Sequence, residues 1–300
     1  MPTSVFAALA LMLNAFVWGV SWWPFRRLEG FGLHPLWATA AIYALALAGL
    51  LAWRPQALRA LARHRGLWLL ALAAGMSNLC FNWGVTRGDV VRVVLLFYLM
   101  PVWTVLLAWP LLGERPRPAA LARMALAVAG VVVVLRTPGM PWPVPESLAD
   151  WLGLVGGLCF SLTNIQLRRV RSATDESRMV AMFSGCMAVS ALAATGGLLL
   201  GEIAAPPLPA PAWMLTALLL ALAFIAGNAG MQYGAARLSA NATALIMLSE
   251  VVFASLSAVA LGAAQLAPRT LVGGAMVLLA AAWAALARPV EGEADARCAP

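Results

Sequence analysis

Hydrophobic residues occur along most of this chain in long runs that almost lack charge. A helix rises 1.5 Å per residue, so about 20 residues are needed to cross a hydrocarbon core of roughly 30 Å. Divided at that length, the sequence contains ten apolar segments. They predict transmembrane helices over residues 4–25, 35–53, 67–86, 90–110, 118–136, 148–168, 179–200, 212–234, 239–261 and 269–287.

Short stretches with proline, glycine or arginine separate most of these segments, as in Arg54-Pro55 and Pro206–Pro209. The boundary between residues 238 and 239 has the least polar sequence around it. The first segment lacks the basic start and the A-x-A cleavage site of a signal peptide, so it is interpreted as a retained span. The predicted fold class is therefore an all-α polytopic membrane protein with ten transmembrane helices.

Composition excludes several other classes of protein. The chain is 63% hydrophobic and 11% charged, which is outside the range of soluble globular or disordered chains. Its net charge of +8 comes from arginines clustered between apolar segments, which is typical of loops facing anionic lipid and not of a nucleic-acid-binding surface. With no lysine, two histidines and no CxxC pair, the sequence predicts no nucleotide-binding loop, no metal site and no cofactor.

The distribution of arginines predicts the orientation in the membrane. With a cytoplasmic N-terminus, 14 of the 20 basic residues fall on the inner side and 6 on the outer side. Cytoplasmic loops carry the excess of positive charge in membrane proteins. We therefore expect a multi-pass protein of the bacterial inner membrane with both termini in the cytoplasm.

The two halves of the chain resemble each other. At a shift of 150 residues, Asn78–Arg87 aligns with Asn228–Arg237, and both follow the pattern N-x-x-hydrophobic-amide-aromatic-Gly-x-x-Arg. The same shift aligns Pro118 with Pro268. We predict one five-helix repeat over residues 1–138, a second over 147–287 and a cytoplasmic tail over 288–300. Because five is odd, the repeats would insert with opposite orientations, which is typical of alternating-access transporters.

Short motifs in the first half resemble those of a known family. Trp18-Gly19 is similar to a WG motif, and Leu99–Val102 followed by Leu112–Arg115 is similar to a "PV…LGER" stretch. Because they occur in this order along a ten-segment chain, these motifs resemble those of the EamA-type members of the drug/metabolite transporter superfamily. This resemblance implies a ten-helix inner-membrane carrier, often an exporter of amino acids, nucleosides or other small metabolites.

The second half departs from the family pattern at several positions. The ninth segment reads Ser249–Val252 without the expected proline, and Ala264 replaces the glutamate of the LGE motif. Near the start of the second segment, Ala38–Ala40 lacks the arginine that is common in the family. These departures affect the inference of a substrate and leave the fold prediction unchanged.

Polar residues inside the apolar segments are the candidates for function, because they are costly in lipid. Glu250 lies midway along the ninth segment, where it could bind a substrate amine or a coupling proton, or serve helix packing in its protonated form. The amides form two pairs spaced four residues apart, so each pair shares one helix face. They could line a central cavity or join helices to each other.

Further candidates come from the first, third, fourth and sixth segments, including aromatic side chains that could form flat walls for a solute. Arg92, at the outer end of the fourth segment, is expected to snorkel towards water; the alternative is that it meets a substrate carboxylate at the outer entrance. Pro101 is expected to bend the fourth segment. The complete predicted lining is Asn14, Trp18, Ser21, Asn78, Asn82, Trp83, Tyr98, Pro101, Thr163, Asn164, Asn228, Gln232 and Glu250.

The sequence thus predicts a secondary transporter that moves a small organic solute by alternating access, with export the expected direction. Its partners are the solute, membrane lipids and, through Glu250, protons; no nucleic-acid partner is expected, and the oligomeric state stays open. The alternatives are an uncoupled facilitator and a lipid flippase. A membrane-embedded enzyme is disfavoured, because His34 and His64 are too isolated to form a catalytic cluster.

Overall fold

The computed structural model describes residues 3–58, 61, 64–113, 118–136, 144–170, 172–238, 240–264 and 267–286. In these residues the regular secondary structure is helical throughout. The helices are α1 (Thr3–Val20), α2 (Trp22–Gly30), α3 (Pro35–Trp53), α4 (Arg65–Arg87), α5 (Val90–Phe97), α6 (Met100–Leu112), α7 (Pro118–Leu135), α8 (Leu148–Arg169), α9 (Asp175–Leu199), α10 (Pro211–Ala235), α11 (Ala240–Met247), α12 (Ser249–Ala260) and α13 (Pro268–Leu286).

The predicted fold class is confirmed as a polytopic α-helical membrane protein. Nine helical segments of the described chain are long and apolar enough to cross a membrane, with α1–α2, α5–α6 and α11–α12 each forming one broken segment. The tenth predicted span corresponds to α13, whose apolar part, Pro268–Ala284, is shorter. The count of ten spans therefore stays a prediction, and the predicted tail over 288–300 lies outside the described residues.

Most predicted boundaries differ from the observed ones by one or two residues. The first span is an exception, because α2 carries it to Gly30, so that Arg26 and Arg27 are helical and not part of a loop. The seventh is another, because α9 begins at Asp175, where the Thr174 side chain accepts a hydrogen bond from the Ser177 N–H and caps the helix.

Two spans are interrupted near their middle. The fourth span breaks at Tyr98-Leu99 and resumes at Met100, which places Pro101 in the first turn of α6. Proline has no N–H to donate to the carbonyl of Phe97, so the helix loses a hydrogen bond at this point. The expected bend is therefore present, although the break lies just before the proline. The ninth span breaks at Leu248, where the Val251 N–H bonds the Leu248 carbonyl and leaves that of Met247 to another donor.

The helices pack in a pattern that relates the two halves. The third span (α4) packs on the sixth and seventh (α8, α9), just as the eighth span (α10) packs on the first and second (α1, α3). The fourth and sixth spans also contact each other, as do the ninth and first. The second, fourth and fifth spans each contact their own counterparts, the seventh, ninth and tenth. If each span is exchanged with its counterpart in the other half, every one of these packing pairs becomes either another pair of the set or itself.

Glycines permit the closest of these contacts. A Cβ atom on Gly19 would lie 2.7 Å from the carbonyl oxygen of Glu250, so the glycine of the WG motif allows α1 to approach α12. At the ends of α6 and α12, Gly113 and Gly262 have φ values of 73° and 67°. Because side chains rarely adopt this left-handed conformation, glycine is favoured as the residue that ends both spans.

Candidate functional site

The two broken spans meet at their breaks. Tyr98, at the end of α5, places its hydroxyl oxygen 3.2 Å from Oε2 of Glu250, in the first turn of α12. The same hydroxyl lies 3.2 Å from the carbonyl oxygen of Met247, which the break in the ninth span leaves without its usual helical donor. Tyr98 is almost fully buried. This contact joins the two halves of the chain at a point where both backbones leave the helix.

One proton must serve two acceptors at this contact, because a phenol carries a single O–H. If Glu250 is ionised, its carboxylate is the stronger acceptor for the Tyr98 proton. If Glu250 is protonated, its own O–H can donate to Tyr98, which frees the phenol proton for the Met247 carbonyl. Among the described residues Glu250 has no ion-pair partner. The protonation of Glu250 therefore determines which group the Tyr98 hydroxyl binds.

Asn14 on α1 extends this cluster of polar groups. Its side-chain amide donates to the sulfur of Met247 at 3.6 Å, a weak bond, while its Oδ1 has no hydrogen-bond partner within the described structure. Asn14 is only 3% exposed. A buried carbonyl oxygen without a donor is unfavourable, so this atom is available to a ligand that carries an N–H or O–H group.

Aromatic side chains fill the neighbouring space. The indole of Trp18 stacks on Phe224 with ring centroids 4.7 Å apart and meets Phe81 edge-on at 6.0 Å. Phe224 also stacks on Tyr43, at 5.6 Å. Trp18 thus packs between the third and eighth spans as one wall beside the site.

Several predicted residues join helices within the bundle. Asn78 accepts a hydrogen bond from the hydroxyl of Tyr43 at 2.6 Å, and Asn82 donates to the hydroxyl of Thr39 at 3.2 Å. Both bonds connect α4 to α3. Asn82 is fully buried, and its Oδ1 has no partner among the described atoms.

Other predicted residues bind the backbone of their own helix. The hydroxyls of Ser21 and Thr163 donate to the carbonyls of Trp18 and Cys159, and the amide of Asn228 donates to that of Phe224. Gln232 lies one turn further along α10 and is half-buried. The structure therefore gathers Asn14, Trp18, Tyr98 and Glu250 at one place and distributes the other candidates along the helices.

Two cavities open elsewhere in the bundle. The first has a volume of about 290 Å³ and lies between α6, α7, α8 and α13; Pro101, Asn164 and Arg123 line it, and we name it the Asn164 cavity. The second has a volume of about 640 Å³ and lies where α3 begins and α4 ends, and we name it the Glu202 cavity. Trp83 is the predicted residue that lines the Glu202 cavity.

The structure corrects the expected role of Arg92. Its guanidinium does not snorkel to water but binds the carboxylate of Asp150 through two parallel hydrogen bonds of 2.7 and 2.9 Å. Asp150 is nearly inaccessible and also accepts the backbone N–H groups of Glu146 and Ser147. One feature of the sequence indicates the place of Asp150: Ser147 precedes it by three residues, which is a capping pattern at the start of a helix.

Tyr43 and Met247 were also missed in the sequence, because nothing in their local sequence distinguishes them from the surrounding apolar residues. Their roles depend on partners 35 and 149 positions away along the chain.

In the described part of the chain, no group of three or more histidine, cysteine, aspartate or glutamate side chains is placed to hold a metal ion.

Residues 5–136 match the EamA-like transporter family. This match covers less than half of the chain, so the first half of the chain is similar to EamA-type proteins. A curated relative from Streptantibioticus cattleyicolor, named "probable terminal-alkyne amino-acid exporter", is 35% identical over 136 residues, which are 43% of this chain and 44% of the relative. The chain thus matches less than half the length of that relative.

The fold also occurs in a solved structure. The crystal structure of another protein aligns with 93% of this chain and 96% of its own, with a TM-score of 0.57 and 21% identity. At that identity the likeness shows the fold alone. The resemblance inferred from the motifs is therefore confirmed, and the match to the family covers the first half of the chain.

Proposed function

We propose that this protein is a secondary transporter of the EamA type, which moves a small organic solute, such as an amino acid or a nucleoside, by alternating access. The observation that carries the proposal is the contact of Tyr98 with Glu250 at the breaks of two spans. Broken helices that meet near the middle of a bundle are the usual place of substrate and ion sites in transporters.

The proposal includes two inverted repeats, over residues 1–138 and 147–287. The exchange of packing pairs between the halves supports it, because a two-fold relation would produce such pairs. The fourth and ninth spans would then lie against the axis and be free to rock against each other. Alternating access would exchange the conformations of the two halves around the Tyr98–Glu250 contact.

The excess of arginine on one side supports an orientation with both termini in the cytoplasm of a bacterial cell. Export is the direction that we infer, because the curated relative is named an exporter. Two acceptors at the site favour a solute that carries an ammonium or amide group: the Glu250 carboxylate, which has no ion-pair partner in the described residues, and Asn14 Oδ1, which has no hydrogen-bond partner there.

We also propose that Glu250 couples transport to protons. In the protonated state the Tyr98 hydroxyl caps the Met247 carbonyl, which stabilises the break of the ninth span. Loss of the proton, or arrival of a solute ammonium at the carboxylate, draws the phenol away from that carbonyl. Proton and solute would thus compete for one group, which is the requirement for exchange.

Exchange in proteoliposomes tests the function. The purified protein is reconstituted with an unlabelled solute inside, and entry of the same labelled solute is measured for each standard amino acid and nucleoside. We expect at least one solute to exchange above the level of protein-free liposomes. If none exchanges while a fluorescent phospholipid crosses between leaflets, the proposal is wrong and the flippase alternative is correct.

A further inference from the structure

The Glu202 cavity brings charged groups of both signs together at one end of the bundle. His34 precedes α3, Trp83 and Arg87 end α4, and Glu202 follows α9. Apolar side chains of Leu36 and Ile203 complete its walls. Its volume of about 640 Å³ is within the range of pockets that hold small organic molecules, about 300–1,000 Å³. No lining residue comes from α11 or α12, which carry the Glu250 site.

His34 presents a donor to this cavity. Partial burial and the nearby charge of Arg87 lower the pKa of His34 to about 4, so the imidazole is neutral at pH 7. Its Nδ1 accepts the backbone N–H of Leu36 at 3.3 Å, which places the remaining proton on Nε2. The ring also meets Trp83 edge-on, with centroids 5.4 Å apart, and this contact fixes its orientation.

Arg87 presents the positive charge. Its Nε binds a carboxylate oxygen of Glu29 at 2.6 Å, which holds the guanidinium in place by one edge. A guanidinium has five N–H donors, so its terminal nitrogens keep donors for a further carboxylate. Across the same cavity, Glu202 supplies the negative charge, and its backbone is fixed by a hydrogen bond from its N–H to the Gly197 carbonyl at 2.9 Å.

We propose that the Glu202 cavity is a second solute site, which binds a zwitterionic amino acid with an apolar side chain. The carboxylate of the ligand binds Arg87 and the Nε2–H of His34. Its ammonium faces Glu202, and its side chain lies against Trp83, Leu36 and Ile203. A purely anionic ligand would leave Glu202 without a partner, and a purely cationic ligand would leave the remaining donors of Arg87 and His34 unused, so a zwitterion fits best.

This site deepens the proposed function and rests on it. In the proposed orientation the Glu202 cavity faces the outside, because α3 begins and α4 ends there. A solute released from the Glu250 site would pass this cavity before it enters the external medium. The cavity would therefore select among amino acids on the side of release.

Equilibrium binding of labelled L-phenylalanine tests the site. The measurement uses the full chain in lipid nanodiscs. This protein carries Glu250→Ala, which removes the Glu250 site. We expect saturable binding, with phenethylamine and 3-phenylpropanoate competing about tenfold or more weakly than L-phenylalanine, because each lacks one charged group. Absence of saturable binding, or analogues that compete as well as L-phenylalanine, would overturn the proposal.

Two variants of the Arg87–Glu29 ion pair distinguish a binding role of Arg87 from a purely structural one. Arg87→Gln removes the guanidinium and should weaken binding about tenfold or more, whereas Glu29→Gln breaks the same ion pair and keeps the guanidinium, so binding should change by less than about threefold. Glu202→Gln should weaken binding of L-phenylalanine but not of 3-phenylpropanoate. Equal losses in Arg87→Gln and Glu29→Gln would show that the pair is only structural and would contradict the site.

The two proposals can fail separately. If a solute exchanges in proteoliposomes and the Glu250→Ala protein binds no L-phenylalanine, the second site is wrong and the transport proposal stands. If the Glu250→Ala protein binds L-phenylalanine and no solute exchanges with the wild type, the transport proposal fails and the cavity is a binding site without that role.

Discussion

The hydroxyl of Tyr98 lies 3.2 Å from the carboxylate of Glu250 and connects the break of the fourth span to that of the ninth. The two residues are 152 positions apart. Helix breaks expose backbone carbonyls, and in lipid such groups must find donors within the protein. The Tyr98 phenol supplies one donor for the Met247 carbonyl and the Glu250 carboxylate together, so the site cannot satisfy both at once.

Tyr98→Phe removes this shared donor and should change the pH dependence of solute exchange. The Met247 carbonyl then has no donor in either protonation state of Glu250, so the two states differ less. Exchange rates across pH 5–9 measure the effect. Tyr43→Phe is the control, because it removes the donor to Asn78 and should lower the free energy of unfolding by about 1–2 kcal/mol without changing the shape of the pH profile. Identical profiles for Tyr98→Phe and wild type would contradict the assigned role.

Gly19→Ala should destabilise the contact of α1 with α12. The added Cβ would lie 2.7 Å from the Glu250 carbonyl oxygen and 2.8 Å from the Cβ of Phe253, so the helices must separate. We expect a loss of about 1–3 kcal/mol in the free energy of unfolding, measured by denaturant titration in detergent. Gly196→Ala is the matched variant, because its Cβ meets nothing within 4 Å, and a gain of about 0.5–1 kcal/mol is expected from helix propensity. Equal effects of both variants would refute the close contact.

Asp150→Asn should destabilise the protein strongly. It leaves Arg92 without its carboxylate, and the Arg92 side chain is only 18% exposed. Breaking a buried pair costs about 3–5 kcal/mol, and the partial exposure of Arg92 reduces this to about 2–4 kcal/mol. The free energy of unfolding checks the value. Asp175→Asn breaks an exposed pair with Arg178 and should cost less than about 1 kcal/mol. A small effect of Asp150→Asn would show that the pair is hydrated.

His34→Asn should reduce the loss of stability in acid. Because the pKa of His34 is about 4 in the folded protein and near 6.5 in its ordinary state, the unfolded chain binds more protons between these values. Its contribution to stability is thus complete above pH 6.5 and is lost as the pH falls towards 4. Asparagine can still cap α3 but does not titrate. The melting temperature of the variant should therefore fall less than that of the wild type between pH 6.5 and 4.5; parallel curves would disprove the shift.

Much of the fold could be predicted from the sequence, because bilayer thickness sets the length of each apolar run. The prediction of 35–53 for the second span is identical to α3. Breaks inside spans were harder. Pro101 signals the first of them, whereas the break at Leu248 has no proline, and the Met247 carbonyl at this break is bound by Tyr98, which is 149 positions away.

The candidate site could be predicted only in part. Glu250 and Tyr98 were identified as separate candidates, because intramembrane polar groups are rare, but their contact depends on the packing of distant spans. The amides Asn78 and Asn82 share a helix face as predicted, yet that face contacts α3 through Tyr43 and Thr39. Periodicity identifies a polar face and does not identify the helix that covers it.

The movement of protons in exchange for the solute tests the role of Glu250 most directly. Proteoliposomes containing a pH-sensitive dye receive an outward gradient of a solute that exchanges, and the internal pH is followed. In the wild type, protons should enter in exchange for the solute that leaves, so the internal pH should fall. Glu176→Gln, at a partly exposed glutamate in α9, should behave like the wild type. Glu250→Gln should exchange the solute more slowly, because it lacks the charge that binds the ammonium, and it should move no protons in exchange for the solute. Proton movement at the wild-type rate in Glu250→Gln would contradict the central claim.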